Sequence, residues 1–316
     1  MASSFSEAWR EGFDGHAFYT RTYEAATMKA VLVFVHGFGD HIGRYEDIHP
    51  RFAQRGITVF AYDMRGFGRT ALDPEHRSPD EYYGKTSRPL ELSDLEWWVR
   101  HAKRTYPDTP IFIMGYSAGA GLTLAFPTRQ HPPPTPETVS MLSGVISQGP
   151  LVHLTYQPAR VSRYLLHGIA KIIPSLPFPA PMPAERFSRD PKVVEALKND
   201  TLRMDRGTAR GLDNMLTQGY QLLDEGYKYW PKELPLLMTW GSADEARGVA
   251  FFNKLDIKDK KLIVYDVGIS MYARVPVLQL NDIQDILHDL LHEAGDIPDR
   301  VLEEYFVWIE AHLGSR

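Results

Sequence analysis

The chain has 316 residues, 43% hydrophobic and 24% charged, with a net charge of −5 and no cysteine. That length buries a large core as one elaborated domain or two, and without a basic excess a nucleic-acid-binding footprint is excluded. Disulfides, thiol nucleophiles and thiolate zinc sites are excluded with the cysteines.

KAVLVFVHG (29–37) is an apolar, β-branched run closing on glycine, the pattern of a strand buried on both faces. ITVFAYD (57–63) repeats that design. ELSDLEWWVRHAKR (91–104) spaces Leu92, Leu95, Val99 and Ala102 as a helix does. IFIMG (111–115) is a further strand, and AGAGLTLAF (118–126) suits a helix of small residues packed close to a sheet. GVISQGP (144–150), LPLLMTWG (234–241) and KKLIVYDVG (260–268) follow as strands, and DRVLEEYFVWIEAHL (299–313) as the last helix. Strands alternating with helices predict an α/β fold, a mostly parallel sheet covered on both faces.

Two stretches interrupt the alternation. RQHPPPTPE (129–137) is a proline-rich surface loop. Residues 151–230 offer no convincing strand and carry 11 Lys and Arg against 8 Asp and Glu, a net +3 against −8 for the remainder. Within them, VSRYLLHGIAKIIPSLPFPAPMP (161–183) is an apolar helical stretch running into prolines. The organisation expected is a core of residues 1–150 and 231–316 with a helical cap, 151–230, inserted between sheet strands. No apolar run reaches the roughly 18–20 residues that span a bilayer. The opening MASSFSEAWREGFDG lacks the apolar centre of a secretory signal, so the compartment expected is cytoplasmic.

MGYSAGAG (114–121) holds Gly-x-Ser-x-Gly where a strand meets a helix. Such a turn exposes the oxygen of Ser117, and Gly115 and Gly119 are needed because side chains there would strike the strand and the helix. In HGFGDHIGRY (36–45), the Phe38 N–H, together with that of Ala118, is placed to receive an oxyanion. His36, beside Gly37 at a strand end, is read as structural. A serine nucleophile further needs a base and an acid that orients it, in the order Ser, Asp or Glu, His. LPLLMTWGSADE puts Asp244 just past a strand end, with Glu245 as runner-up; the plain alternative is a turn-forming aspartate.

By these residues the chain resembles the monoacylglycerol lipase family of α/β-hydrolases, related to serine aminopeptidase-like and lysophospholipase-like members. HGFGDHIGRY, YDMRGFGRT (62–70), SRDPKVVEALKND (188–200), GSADE (241–245) and HDLLHE (288–293) resemble family segments over most of the chain. The resemblance implies an α/β-hydrolase fold, with Ser117 as nucleophile, Asp244 as acid and His288 as base. It further implies hydrolysis of a single acyl ester of glycerol, without cofactor or metal, under an apolar cap resting on membranes or lipid droplets. Three departures stand out. The elbow reads GYSAG where the family has GHSMG, the segment DEARGVAFFNKL after Asp244 is shorter, and ISMYARVPVLQLNDIQDIL (269–287) intervenes before His288.

The insertion leaves DILHDLLHE (285–293) open to three readings. His288 is the base if the chain breaks from helix before it. It is a solvated residue if a helix runs through, because Leu280, Ile283, Ile286, Leu287, Leu290 and Leu291 have helical spacing and His288 then shares the polar face with Asn281, Gln284, Asp285 and His292. Or residues 269–287 are a misjoined segment of a gene model. His288 and His292 at i and i+4 have zinc-helix spacing, but Asp289 stands where that motif needs Glu, and nothing points to a third ligand. The expectation is therefore a serine hydrolase of monoacylglycerol. Its rivals are an esterase, lysophospholipase or aminopeptidase with the same machinery, and a catalytically silent protein binding a lipid or a partner.

Overall fold

The computed structural model describes residues 5–152, 160–241, 247–265 and 288–314. In chain order the strands are β1 (Ser6–Glu11), β2 (Ala17–Tyr23), β3 (Ala30–Val35), β4 (Ile57–Tyr62), β5 (Ile111–Tyr116), β6 (Leu142–Gln148), β7 (Pro177–Pro179), β8 (Arg206–Thr208), β9 (Leu236–Gly241) and β10 (Lys260–Tyr265). The helices are α1 (His49–Gln54), α2 (Gly68–Leu72), α3 (Arg88–Thr105), α4 (Ala118–Ala125), α5 (Pro136–Val139), α6 (Arg160–Ile172), α7 (Pro191–Asn199), α8 (Ala209–Asp224), α9 (Arg247–Lys254) and α10 (Ile297–Ala311).

Eight strands form one sheet in the order β1-β2-β4-β3-β5-β6-β9-β10. From β4 to β10 every pairing is parallel, while β2 runs antiparallel to both β1 and β4. All six residues of β3, β4 and β5 are buried, which is why these strands read as unbroken apolar runs. The period-2 alternation divides them between two cores: Val31, Val33 and Val35 join Leu95 and Trp98 of α3, and Leu32 and Phe34 join Tyr305 and Trp308 of α10. Parallel strands deliver their C-terminal ends to one edge, where ligands of open α/β sheets bind. Gly37, Ser117 and Gly149 follow β3, β5 and β6 at that edge.

Between sheet strands β6 and β9 the described residues do contain strands, where the sequence offered no convincing one. β7 and β8 pair antiparallel, Pro177 opposite Thr208 and Pro179 opposite Arg206. Two of the three residues of β7 are prolines, which lack the N–H of an interior strand and hid it from a pattern search. α6 packs on α8 through Leu166, Ala170, Ala209 and Leu212. The outer side of this unit exposes Tyr164, Leu165, Ile172, Ile173 and Leu176. Among the described residues no helix is long and apolar enough to cross a membrane.

His16, in the turn after β1, and Glu81, between α2 and α3, are both buried titratable side chains. His16 Nε2 lies 3.5 Å from Glu81 Oε2. Burial, with Arg65 nearby, takes His16 down to about 4, and burial pushes Glu81 up to about 8. Near neutrality both are uncharged, so the contact is no ion pair. The signs differ. His16 adds stability that is lost as pH falls from 6.5 toward 4, whereas Glu81 retains a proton that the unfolded chain has released above its ordinary value of 4.5, so its contribution falls as pH rises. Of these two groups only Glu81 acts between pH 6.5 and 8, at up to about 2 kcal/mol. Glu81→Gln is expected to remove that decline in urea unfolding at the two pH values; an unchanged decline would contradict the assignment.

Candidate active site

β5 ends at Tyr116 and α4 begins at Ala118, so one residue turns the chain. That residue, Ser117, has φ 55° and ψ −116°, the one non-glycine positive φ among the described residues. Holding a side chain there costs of order 1–3 kcal/mol, and the surroundings enforce it. Ser117 N–H donates to Gln148 O at 3.0 Å, and its carbonyl accepts from Gly121 N–H and Leu151 N–H, both at 2.9 Å. A Cβ on Gly115 would lie 2.4 Å from Gly119 O, and one on Gly119 would lie 2.3 Å from His36 O. The glycines thus let α4 sit directly on the ends of β3 and β5.

His288 Nε2 is 2.6 Å from Ser117 Oγ. The ring lies beside Gly149, where a Cβ would come within 3.4 Å of Nδ1, and near the rings of Tyr116 and Phe187. His288 and Asp289 are outside any helix; a short 3-10 turn, Leu290–His292, follows. The helical spacing ending at Leu291 therefore does not describe the backbone at His288, although Leu290 and Leu291 are buried. The two leucines point inward through the turn and not through a continuing helix face. Asp244 and its runner-up Glu245 lie outside the described residues, as do residues 269–287. By sequence, Asp244 stands three residues past Gly241, the last residue of β9.

Gly37 packs so closely on the elbow that a Cβ there would lie 3.2 Å from Ser117 Cβ. Phe38 follows it, and Ala118 opens α4, where the first N–H groups of a helix have no acceptor within it. Gly37, Phe38 and Ala118 line one narrow pocket with Met64, Phe67 and Met215. His36 is fully buried. Met64 N–H donates to its Nε2 at 2.8 Å, so Nδ1 carries the proton and donates to Gly37 O at 2.8 Å. Burial lowers its pKa, which keeps the ring neutral. Gly37 C=O and Phe38 N–H belong to one trans peptide and point oppositely, so pinning the carbonyl to His36 aims the N–H away from it. His36 touches the backbone of the loop and not Ser117.

A serine oxygen within hydrogen-bond reach of an imidazole is the arrangement through which a hydroxyl loses its proton as it attacks. His292 stands apart: Nδ1 faces Asp289 Oδ2 at 2.9 Å and Nε2 faces Arg44 O at 2.8 Å. The two histidines are thus engaged in different directions. Among the described residues no three His, Asp or Glu side chains form a group that could hold a metal.

A family model described as "Serine aminopeptidase, S33" matches residues 26–269. The chain is 27% identical to a "Monoacylglycerol lipase" of Mycolicibacterium smegmatis, covering 90% of this chain and 89% of that protein. It is 28% identical to a "Putative monoglyceride lipase" of Schizosaccharomyces pombe over 77% of this chain, and the match spans only 62% of that protein's length. The crystal structure of a soluble variant of monoglyceride lipase from Saccharomyces cerevisiae superposes with a TM-score of 0.81 at 19% identity, covering 99% of this chain and 97% of that one.

Proposed function

The chain belongs to the serine aminopeptidase, S33, family of α/β-hydrolases, and from that premise we propose that it is a serine hydrolase of single-chain acylglycerols. The observation that carries the reading is the 2.6 Å contact between His288 Nε2 and Ser117 Oγ at a strained, half-buried turn. Ser117 Oγ attacks the acyl carbonyl while His288 takes its proton. The N–H groups of Phe38 and Ala118 receive the oxyanion. His288 returns the proton to the departing glycerol oxygen, water attacks the acyl-serine with His288 again as base, and the fatty acid leaves. Asp244 holds the imidazole tautomer and stabilises the imidazolium in this scheme. Such chemistry needs no cofactor.

The acyl-lipid substrate rests on two supports. Relatives are named as lipases of monoacylglycerol, and the described residues between β6 and β9 carry an exposed apolar face, which supports their reading as a cap. Leu166 packs inward against α8 and Ile169 is half-buried, whereas Tyr164, Leu165, Ile172, Ile173 and Leu176 face out, with Lys171 exposed among them. An exposed apolar face carrying a cation suits an anionic lipid surface.

Three substrates given to the purified chain test the proposal: mono-oleoylglycerol in anionic vesicles, a soluble short-chain ester and an aminoacyl anilide. Both esters are expected to turn over about a hundredfold faster than the anilide, since specificity lies in the pocket and not the triad. Leu165→Ser with Ile172→Ser is expected to slow the vesicle substrate about tenfold and the soluble ester hardly at all. Preference for the anilide would favour an aminopeptidase. Equal loss on both esters would remove the docking role of the cap.

A further inference from the structure

Ser117 follows directly on β5, whereas His288 stands far beyond the last sheet strand in sequence. In the sequence, 22 residues separate it from Tyr265, the end of β10. The described contacts hold it from the following side, beginning at its neighbour. Asp289 is fully buried. Its Oδ2 accepts from Arg44 Nη2 at 2.8 Å and faces His292 Nδ1 at 2.9 Å, and its N–H donates to Phe187 O at 3.2 Å.

The same guanidinium reaches the other half of the site. Arg44 Nη1 donates to Asp40 Oδ1 at 2.9 Å, and Asp40 is itself buried in the loop that follows Gly37 and Phe38. Asp40 accepts also from His41 N–H at 2.8 Å and from Tyr45 OH at 2.7 Å, with Gly37 N–H at 3.4 Å. Arg44 also receives His292 Nε2 on its backbone carbonyl at 2.8 Å. One planar fork therefore joins the carboxylate beside the oxyanion loop to the carboxylate beside the base. A lysine, a single point of charge, would not bridge two carboxylates in fixed directions.

Buried charges of this kind add little net stability, because desolvation offsets their attraction. Despite burial, His292 and Arg44 hold the Asp289 carboxyl below its ordinary range, and Arg44 does the same for Asp40. The cluster is thus charged and directional, while its contribution to folding free energy is small. Its location between the two loops says what it is for.

We infer that Arg44 and Asp289 are positioning residues that clamp the His288 segment to the oxyanion loop and thereby set the His288–Ser117 contact. The inference rests on the reading of Ser117 and His288 as nucleophile and base. It predicts that either residue acts on the rate of serine attack and that the two act as a unit.

The test is the rate at which an alkyl fluorophosphonate labels Ser117. In that reaction the Oγ–P bond forms, P–F breaks, fluoride leaves and the serine proton passes to His288. Four folded chains are compared: the wild type, Asp289→Asn, Arg44→Met and the double variant. Each single change is expected to slow labelling about tenfold or more, and the double change no further than the slower single one, since members of one unit are not additive. For ester hydrolysis kcat, normalised to the folded fraction, should fall with KM within about threefold, and the rate constant of labelling, unlike its final extent, does not scale with the number of folded chains. Labelling within about twofold of wild type in either single variant, or losses that multiply in the double, would overturn the inference. If a variant fails to fold, Arg44→Lys or Asp289→Glu replaces it, keeping the charge and changing the reach, and the same outcomes decide. A wild type that is not labelled at Ser117 would instead overturn the nucleophile assignment.

Discussion

His288→Ala is expected to lower ester turnover by about 10⁴-fold or more, because removing one member of a serine–histidine unit costs nearly as much as removing both. The 2.6 Å contact makes its Nε2 the one described imidazole nitrogen in reach of Ser117 Oγ. His292→Ala leaves that nitrogen in place and removes only a ring that braces Asp289 and Arg44. Its loss should be near tenfold, the size of a lost positioning contact rather than a lost base. Measuring kcat for both variants on one soluble ester separates the assignments. Equal losses, or a larger loss at His292, would place the base elsewhere and revive the reading of His288 as a surface residue.

Gly119→Ala is expected to destabilise the fold by about 3 kcal/mol and to abolish activity with it. The added Cβ would lie 2.3 Å from His36 O and 2.4 Å from Val35 O, and both obstacles are backbone at the end of a central strand. Neither can rotate aside. Relief requires α4 to lift from β3, which parts Ala118 from Phe38 and opens the place where the oxyanion would sit. Gly168, in α6, is the control: nothing lies within 4 Å of its Cβ position. Alanine there should stabilise by about 1 kcal/mol through helix propensity. Urea midpoints of the two variants test the contrast. A Gly119→Ala chain as stable and active as the wild type would show that the elbow is looser than its packing implies.

The parallel strands were legible in the sequence because burial on both faces writes β3, β4 and β5 as apolar runs. β1 and β2 were not, since SEAWRE is largely exposed and polar, and AFYTRTY mixes Thr and Arg into buried positions. Ser117 was legible from a local rule, a glycine-flanked turn between strand and helix. His288 was not fixed by any local rule: the leucine spacing around it pointed to a helix, whereas the backbone there is not helical and the ring meets Ser117, 171 residues away. The Arg44–Asp289 pair, 245 residues apart, left only a hint in the acid next to the histidine. The apolar stretch at α6 was legible, but not which side of it meets α8: Leu166 packs inward, and a periodicity alone does not choose the partner.

The most direct test is glycerol release from mono-oleoylglycerol by the purified chain, with Ser117→Ala measured in parallel as the blank. The account predicts steady release by the wild type and a loss of about 10⁴-fold or more in the variant, at unchanged folding stability. No release above the variant from a folded wild type, or equal release by both, would contradict it.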